Sequence, residues 1–228
     1  MPNKADSLLN FHEFKEKKQR LAEEKASNIY DMARGYAERS ANIREKVRGK
    51  HIFCSMTGIS NAEPLSDWLE EAFFQWFLFD YKTISGKTIF HTFLYSRQQQ
   101  WTEPDFIQGA LFLTAALEPV EITEVHSDRE FKARNLTASC KEVQIKSAAS
   151  RNVSKGYAFL RKIPLLTKEM LVGDIFVVNT PERIDMLLKD YKKASLEHNG
   201  LAWRTYLKEN SMKYAFSPDV QTLHSHSE

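Results

Sequence analysis

Ser85, Gly86, Lys87 and Thr88 have the types and order that close a phosphate-binding loop, where backbone amides and a lysine cradle phosphate oxygens. That chemistry also needs a glycine five positions before Gly86 and an apolar strand leading into the loop. The chain has Tyr81 there, after an aromatic run, so the tetrapeptide reads as a turn with Gly86 at positive φ and Thr88 capping the next helix. Lys155-Gly156-Tyr157-Ala158-Phe159-Leu160-Arg161 matches seven of the eight positions of the RNP1 motif, whose strand aromatics stack on unpaired bases. The eighth position is Lys162 rather than an aromatic residue. The nearest upstream strand candidate, Phe131 to Leu136, is only about twenty residues away, too close for the helix and strand of an RNA-recognition domain. What survives is a basic β face of Lys132, Arg134, Tyr157, Arg161 and Lys162, suited to single-stranded nucleic acid held by stacking and charge.

For proton transfer the candidates are Glu70, Glu71, Asp80, His91 and His126, and no spacing sets two carboxylates opposite one another. Asp80 follows the aromatic run, where desolvation would perturb its pKa; a carboxylate capping the turn that holds Lys82 and Ser85 is the simpler reading. Cys54 and Cys140 stand far apart with no Cys or His at ligand spacing, and His224 and His226 form too short a tract for a metal. Nucleophile-elbow, His-Glu-x-x-His and dinucleotide-loop patterns are missing. The expectation is no catalytic residue, no cofactor and no metal.

The 228 residues, 42% apolar and 27% charged, suffice for one or two domains with a real core. No apolar run approaches the length of a membrane span and the first residues have no apolar signal region, so a cytoplasmic protein without a membrane partner is expected. Lys and Arg outnumber Asp and Glu by 12 to 8 over residues 1–50 and by 10 to 6 over 121–172; between, over 63–118, the balance is 3 to 8. Basic flanks around an acidic middle draw anionic partners only weakly.

These residues must be positioned by recognisable elements. Six aromatic rings between Phe73 and Tyr81 call for burial, making that segment the centre of a domain. Ala22, Ala26, Ile29, Ala33, Tyr36, Ser40, Ile43 and Val47 recur in steps of four and three, which predicts one long helix from about Asp6 to Arg48. Its Ala- and Ser-rich seam suits close packing on another helix, within the chain or in a homodimer, and its cations Lys15, Lys18, Arg20 and Lys25 are candidate protein-interaction residues. Helical signals fill the region to residue 118. Five short β-prone segments follow over 119–180, helices over 181–216, and a tail over 217–228 whose composition predicts disorder. The expected fold is α+β: a long N-terminal helix and helical unit, a small five-stranded antiparallel barrel-like unit, and C-terminal helices.

Asp67-Trp68-Leu69, Trp76 to Tyr81, Gly86-Lys87-Thr88, Asn135-Leu136-Thr137, Glu142-Val143, Ser147 to Arg151 and Gly156 through Pro164 together resemble, over residues 60–180, uncharacterised bacterial proteins that often end in a SEC-C zinc motif. The resemblance implies a strand pair followed by a glycine turn into a strand ending near proline, and it carries no reaction. Residues 181–228 lack cysteine, so zinc does not follow from it. The functional expectation is a non-catalytic cytosolic interaction or adaptor protein with an unknown protein partner. RNA or single-stranded DNA binding through the basic β face, at the ribosome for example, is the first alternative; an enzyme site between the helical and β units is the second.

Overall fold

The structure is a computed structural model that describes the backbone of residues 4–62, 64–136 and 141–216, with side chains from residue 11 onward. Its elements run α1 (Lys4–Ser40), α2 (Ile43–Thr57), α3 (Asp67–Phe79), α4 (Ile89–Ser96), α5 (Glu103–Thr114), β1 (Leu117–Ser127), β2 (Glu130–Asn135), β3 (Glu142–Lys146), β4 (Gly156–Pro164), β5 (Glu169–Val178), α6 (Glu182–Glu197) and α7 (Trp203–Ala215). This is an α+β chain, as composition and periodicity predict. Cys140 and the tail over 217–228 lie outside the described residues.

The single long helix of the periodicity is two helices. Asn42 breaks it by leaving helical backbone and accepting the Arg44 N–H at 2.9 Å on its side-chain oxygen, which starts α2 afresh. Ala26, Ile29, Ala33 and Ala37 keep the predicted seam and are buried, but Ile43 and Val47, beyond the break, are 71% and 64% exposed. The seam packs inside the chain: Tyr30 stacks on Phe79, Tyr36 meets Phe93, and Gln108 donates to the Ala22 carbonyl at 2.6 Å. That burial gives the seam to packing within the chain, the first of the two arrangements its composition suits.

The aromatic run forms α3 and the turn after it. Trp76, Phe77, Phe79 and Tyr81 are all at most 5% exposed, and Phe73 and Phe74 are partly covered. Phe79 clusters with Phe90 of α4 and Phe112 of α5, at ring separations of 5.1 and 6.2 Å. The turn that follows behaves as the sequence predicts: Gly86 has φ 78° and Thr88 caps α4 by accepting the His91 N–H at 3.2 Å.

The five strands pair in the order β1-β2-β3-β5-β4, with β4 also pairing β1. All pairings are antiparallel except β3 with β5, which is parallel and rests on Ile145↔Glu169 and Lys146↔Met170 alone. The expected antiparallel barrel-like unit is thereby corrected to a curled mixed sheet with a minimal parallel seam. Val120, Ile122, Phe131, Ala133, Ile145, Ala158, Leu160 and Leu171 fill the inside of the curl. The outer face of β4 and β5, with Phe159, Ile163, Val172 and Phe176, joins the helices and Tyr206, Leu207 and Phe216 in the main core.

One polar residue sits in that contact. Gln75 of α3 is 1% exposed, neither of its amide atoms has a hydrogen-bond partner among the described residues, and it lies against Gly173 of β5. Gly173, at φ +77°, leaves the space that a Cβ would take from the amide. Replacing Gln75 with Met, which keeps the volume and removes two unsatisfied groups, is expected to raise stability by about 1 kcal/mol in urea unfolding; a loss of similar size would show that the amide is stabilising.

Candidate functional site

The five residues of the expected nucleic-acid face do not form one. On β2, Lys132 and Arg134 each face a β1 glutamate across the ladder, Glu124 and Glu121, and form ion pairs with them, the first at 2.8 Å. Strand β4 is central, paired with β1 on one side and β5 on the other, and both of its faces are covered. Phe159 is therefore in the main core, Tyr157 is half-buried against it, and Lys162 is held by Glu118 at 3.3 Å and Glu169 at 2.6 Å with its side chain 7% exposed. Arg161 is 1% exposed. The alternation that imitates RNP1 is the two-sided burial of a central strand, and the nucleic-acid assignment of Tyr157, Arg161 and Lys162 is corrected on that ground.

Arg161 instead ties the sheet to the helices. Arg161 stands on the same face of β4 as Phe159 and Ile163, the face that meets the helices, so strand alternation carries its side chain toward α3. There it donates to Asp80 Oδ2 at 2.5 Å and to the Ala115 carbonyl at 2.7 Å, with its guanidinium carbon 4.8 Å from the centre of the Phe79 ring. Asp80 is the residue that ends α3, and its side chain is 4% exposed. Burial raises the Asp80 carboxyl and Arg161 pulls it back down, and the net direction is upward. Lys208 of α7 approaches the Phe79 carbonyl at 3.5 Å; burial lowers its pKa to about 8, partly countered by Asp80. The sequence singles out Asp80 as a turn cap and misses its cation, because Arg161 is 81 positions away.

The remaining proton-transfer candidates are dispersed. Glu71 is ion-paired with Arg34, Glu70 is exposed, and His126 lies 3.6 Å from Glu124. Burial lowers the pKa of His91, whose ring stacks on Tyr95 at 4.5 Å. Among the described residues no three His, Cys, Asp or Glu side chains are grouped to hold a metal, and no helix is long and apolar enough to cross a membrane. Cys54 is 1% exposed, and burial raises its thiol.

The candidate interaction residues divide into two sets. Lys25 is anchored to Asp105 of α5, so it holds α1 onto the body. Arg20 lies 4.0 Å from Glu24 on an exposed surface. Lys15 and Lys18 belong to a projecting segment: side chains 11–18 are all exposed, and burial on the body begins at Gln19, whose carbonyl oxygen accepts from the Thr167 N–H at 2.8 Å. Lys15 lies 4.5 Å from the centre of the Phe11 ring and Lys18 5.4 Å from that of Phe14. Phe11 and Phe14 are 53% and 56% exposed. Sequence reasoning kept the lysines and passed over the rings, although their spacing of three placed them on one face.

No family model matches this chain, and no curated protein or solved structure shows significant similarity to it.

Asp80→Asn leaves Arg161 buried without its counter-charge and is expected to cost roughly 3 to 5 kcal/mol, while the pair Asp80→Leu with Arg161→Met should recover most of it; denaturant unfolding of both singles and the double measures the coupling. Lys208 supplies a pH signature. The folded chain releases that proton near pH 8 and the unfolded chain keeps it to about 10.5, so the unfolded state binds more protons in between and stability rises with pH from about 8. Urea midpoints at about pH 7.5 and 9.5 should differ in that direction for the native chain, and the rise should be smaller in Lys208→Met.

Proposed function

We propose that this chain is a non-catalytic macromolecule-interaction protein, an adaptor that engages a protein partner through the segment of α1 around residues 11–18. The observation that carries the reading is the exposure of Phe11 and Phe14, one turn apart on a stretch of helix whose side chains are exposed on every side. A helix in a folded chain is stabilised chiefly by burying an apolar face, and here that face is directed away from the body. Leu21, 49% exposed, continues the same stripe.

The charge around the rings restricts the partner. Residues 11–20 hold Lys15, Lys17, Lys18 and Arg20 against Glu13 and Glu16. An apolar groove with an acidic rim would cover both rings and meet the cations, the way an amphipathic helix docks in a groove. The resemblance over residues 60–180 concerns the body, so the arm is the element in which this chain would differ from such proteins.

Replacing Phe11 and Phe14 with Ser should leave thermal unfolding unchanged, because the rings support nothing in the body. Burial of a phenylalanine contributes about 2 kcal/mol, so removing the pair should weaken partner binding at least tenfold. Affinity purification from the native cell, with and without nuclease, reads the result: partners that survive nuclease with the native chain and vanish with the double variant support the proposal. Partners retained equally by both chains would overturn it.

A further inference from the structure

A second site is built where the helices meet the sheet, and it shares no residue with the α1 segment. A cleft of about 490 Å³ opens between the start of α3, the loop from β3 to β4 and the outer edge of β5. That volume is within the range of small-ligand sites. One side is apolar: Trp68 packs edge-on to Phe176 at 6.3 Å and tilted on Phe216 at 5.1 Å, and Val177 beside them is 39% exposed. The other side is polar, with Arg151 bound to Asp174 at 2.5 Å and the side chains of Asn152 and Asn179 on the rim.

The polar side is held in place before any ligand arrives. The Arg151 N–H donates to the Asp128 carbonyl at 2.8 Å, the Ser147 N–H to the Arg129 carbonyl at 2.8 Å, and the Ser147 hydroxyl to the Ala149 carbonyl at 2.6 Å. The loop is thus pinned to the β1–β2 turn, and Arg151 is fixed at both its backbone and its guanidinium. Its side chain remains 35% exposed, so part of the anchored group lines the cleft. Asp174 is 18% exposed at its side chain, so its charge is balanced inside the cleft by Arg151.

We propose that this cleft binds a nucleobase, presented by a free nucleoside or by an unpaired base of a single strand. The charge balance favours an uncharged group, since an anion would meet Asp174 and a cation would meet Arg151. An aromatic wall beside an anchored guanidinium suits a flat ring with amide-like edges: the ring lies along Trp68, a ring carbonyl meets the exposed part of the Arg151 guanidinium, and the two asparagine amides serve the rest of the edge.

Isothermal titration of the full chain with guanosine, adenosine, uridine and the oligonucleotide rU8 tests the assignment. Binding of at least one nucleoside tighter than about 1 mM is expected, weakened tenfold or more by Arg151→Lys, which keeps the charge opposite Asp174, and by exposed Asn152→Ala, which does not threaten the fold. An oligonucleotide that binds much more tightly than its nucleoside identifies a single strand as the source; equal affinities identify the free nucleoside. The absence of any heat with all four probes at 5 mM, or binding indifferent to both variants, overturns the proposal. The Phe11 and Phe14 double variant should bind these probes like the native chain, so the fates of the two sites are read separately.

Discussion

The ion pair between Asp80 and Arg161 is the constraint from which the rest of the molecule is organised. Two charges taken out of water at a cost of several kcal/mol each persist only where geometry repays that cost. Here the repayment comes from three elements at once: the end of α3 supplies the carboxylate, the end of α5 the Ala115 carbonyl, and the helix-facing side of β4 the guanidinium. A slip of β4 by one residue would send Arg161 into the apolar interior of the curl and Leu160 toward Asp80, so the pair fixes strand register as well as docking. It also sets the environment of Lys208, through which α7 is drawn to the same point.

The packing around the pair explains why the sheet curls as it does. Strand β4 is covered on both faces, by the interior cluster at Ala158 and Leu160 and by the helical core at Phe159 and Ile163. A strand in that position must be central, with neighbours on both sides, and β1 and β5 take those places. The ring is then completed by β2 and β3, leaving β3 and β5 to meet in a short parallel seam. The seam is the least supported part of the sheet in backbone hydrogen bonds, and Lys146 beside it is held from outside by Glu23 of α1 at 2.6 Å.

Local patterns were legible in the sequence wherever one residue type has one physical use. Gly86 and Thr88 define their turn, the aromatic run declares its burial, and the β-prone segments over 119–180 give the number of strands, five. What was not legible depends on partners distant in sequence. The three-and-four periodicity from Ala22 to Val47 continues through Asn42, and nothing in periodicity reports that the backbone changes direction there; only the cap does. Lys132, Arg134 and Lys162 look like a basic face because the glutamates that neutralise them, Glu124, Glu121, Glu118 and Glu169, belong to other strands. The cleft beside Trp68 escaped for the same reason, its arginine and aspartate being 23 positions apart on a loop and a strand.

That pattern of pairing bears on where recognition is to be sought. Surface charge answered within the chain gives a partner little, since each pair must be broken and desolvated before a new one forms. The cations on the sheet are of this kind. The two proposed sites differ in character: the α1 segment offers exposed apolar area, and the cleft offers an anchored guanidinium beside Trp68. Apolar area without cover selects a large partner, because only an extended surface can remove both rings from water. An anchored guanidinium in a cleft of about 490 Å³ suits a small molecule, because that volume is within the small-ligand range. The two proposed recognition surfaces therefore stand apart, one at the exposed start of α1 and one in a cleft beside the main core.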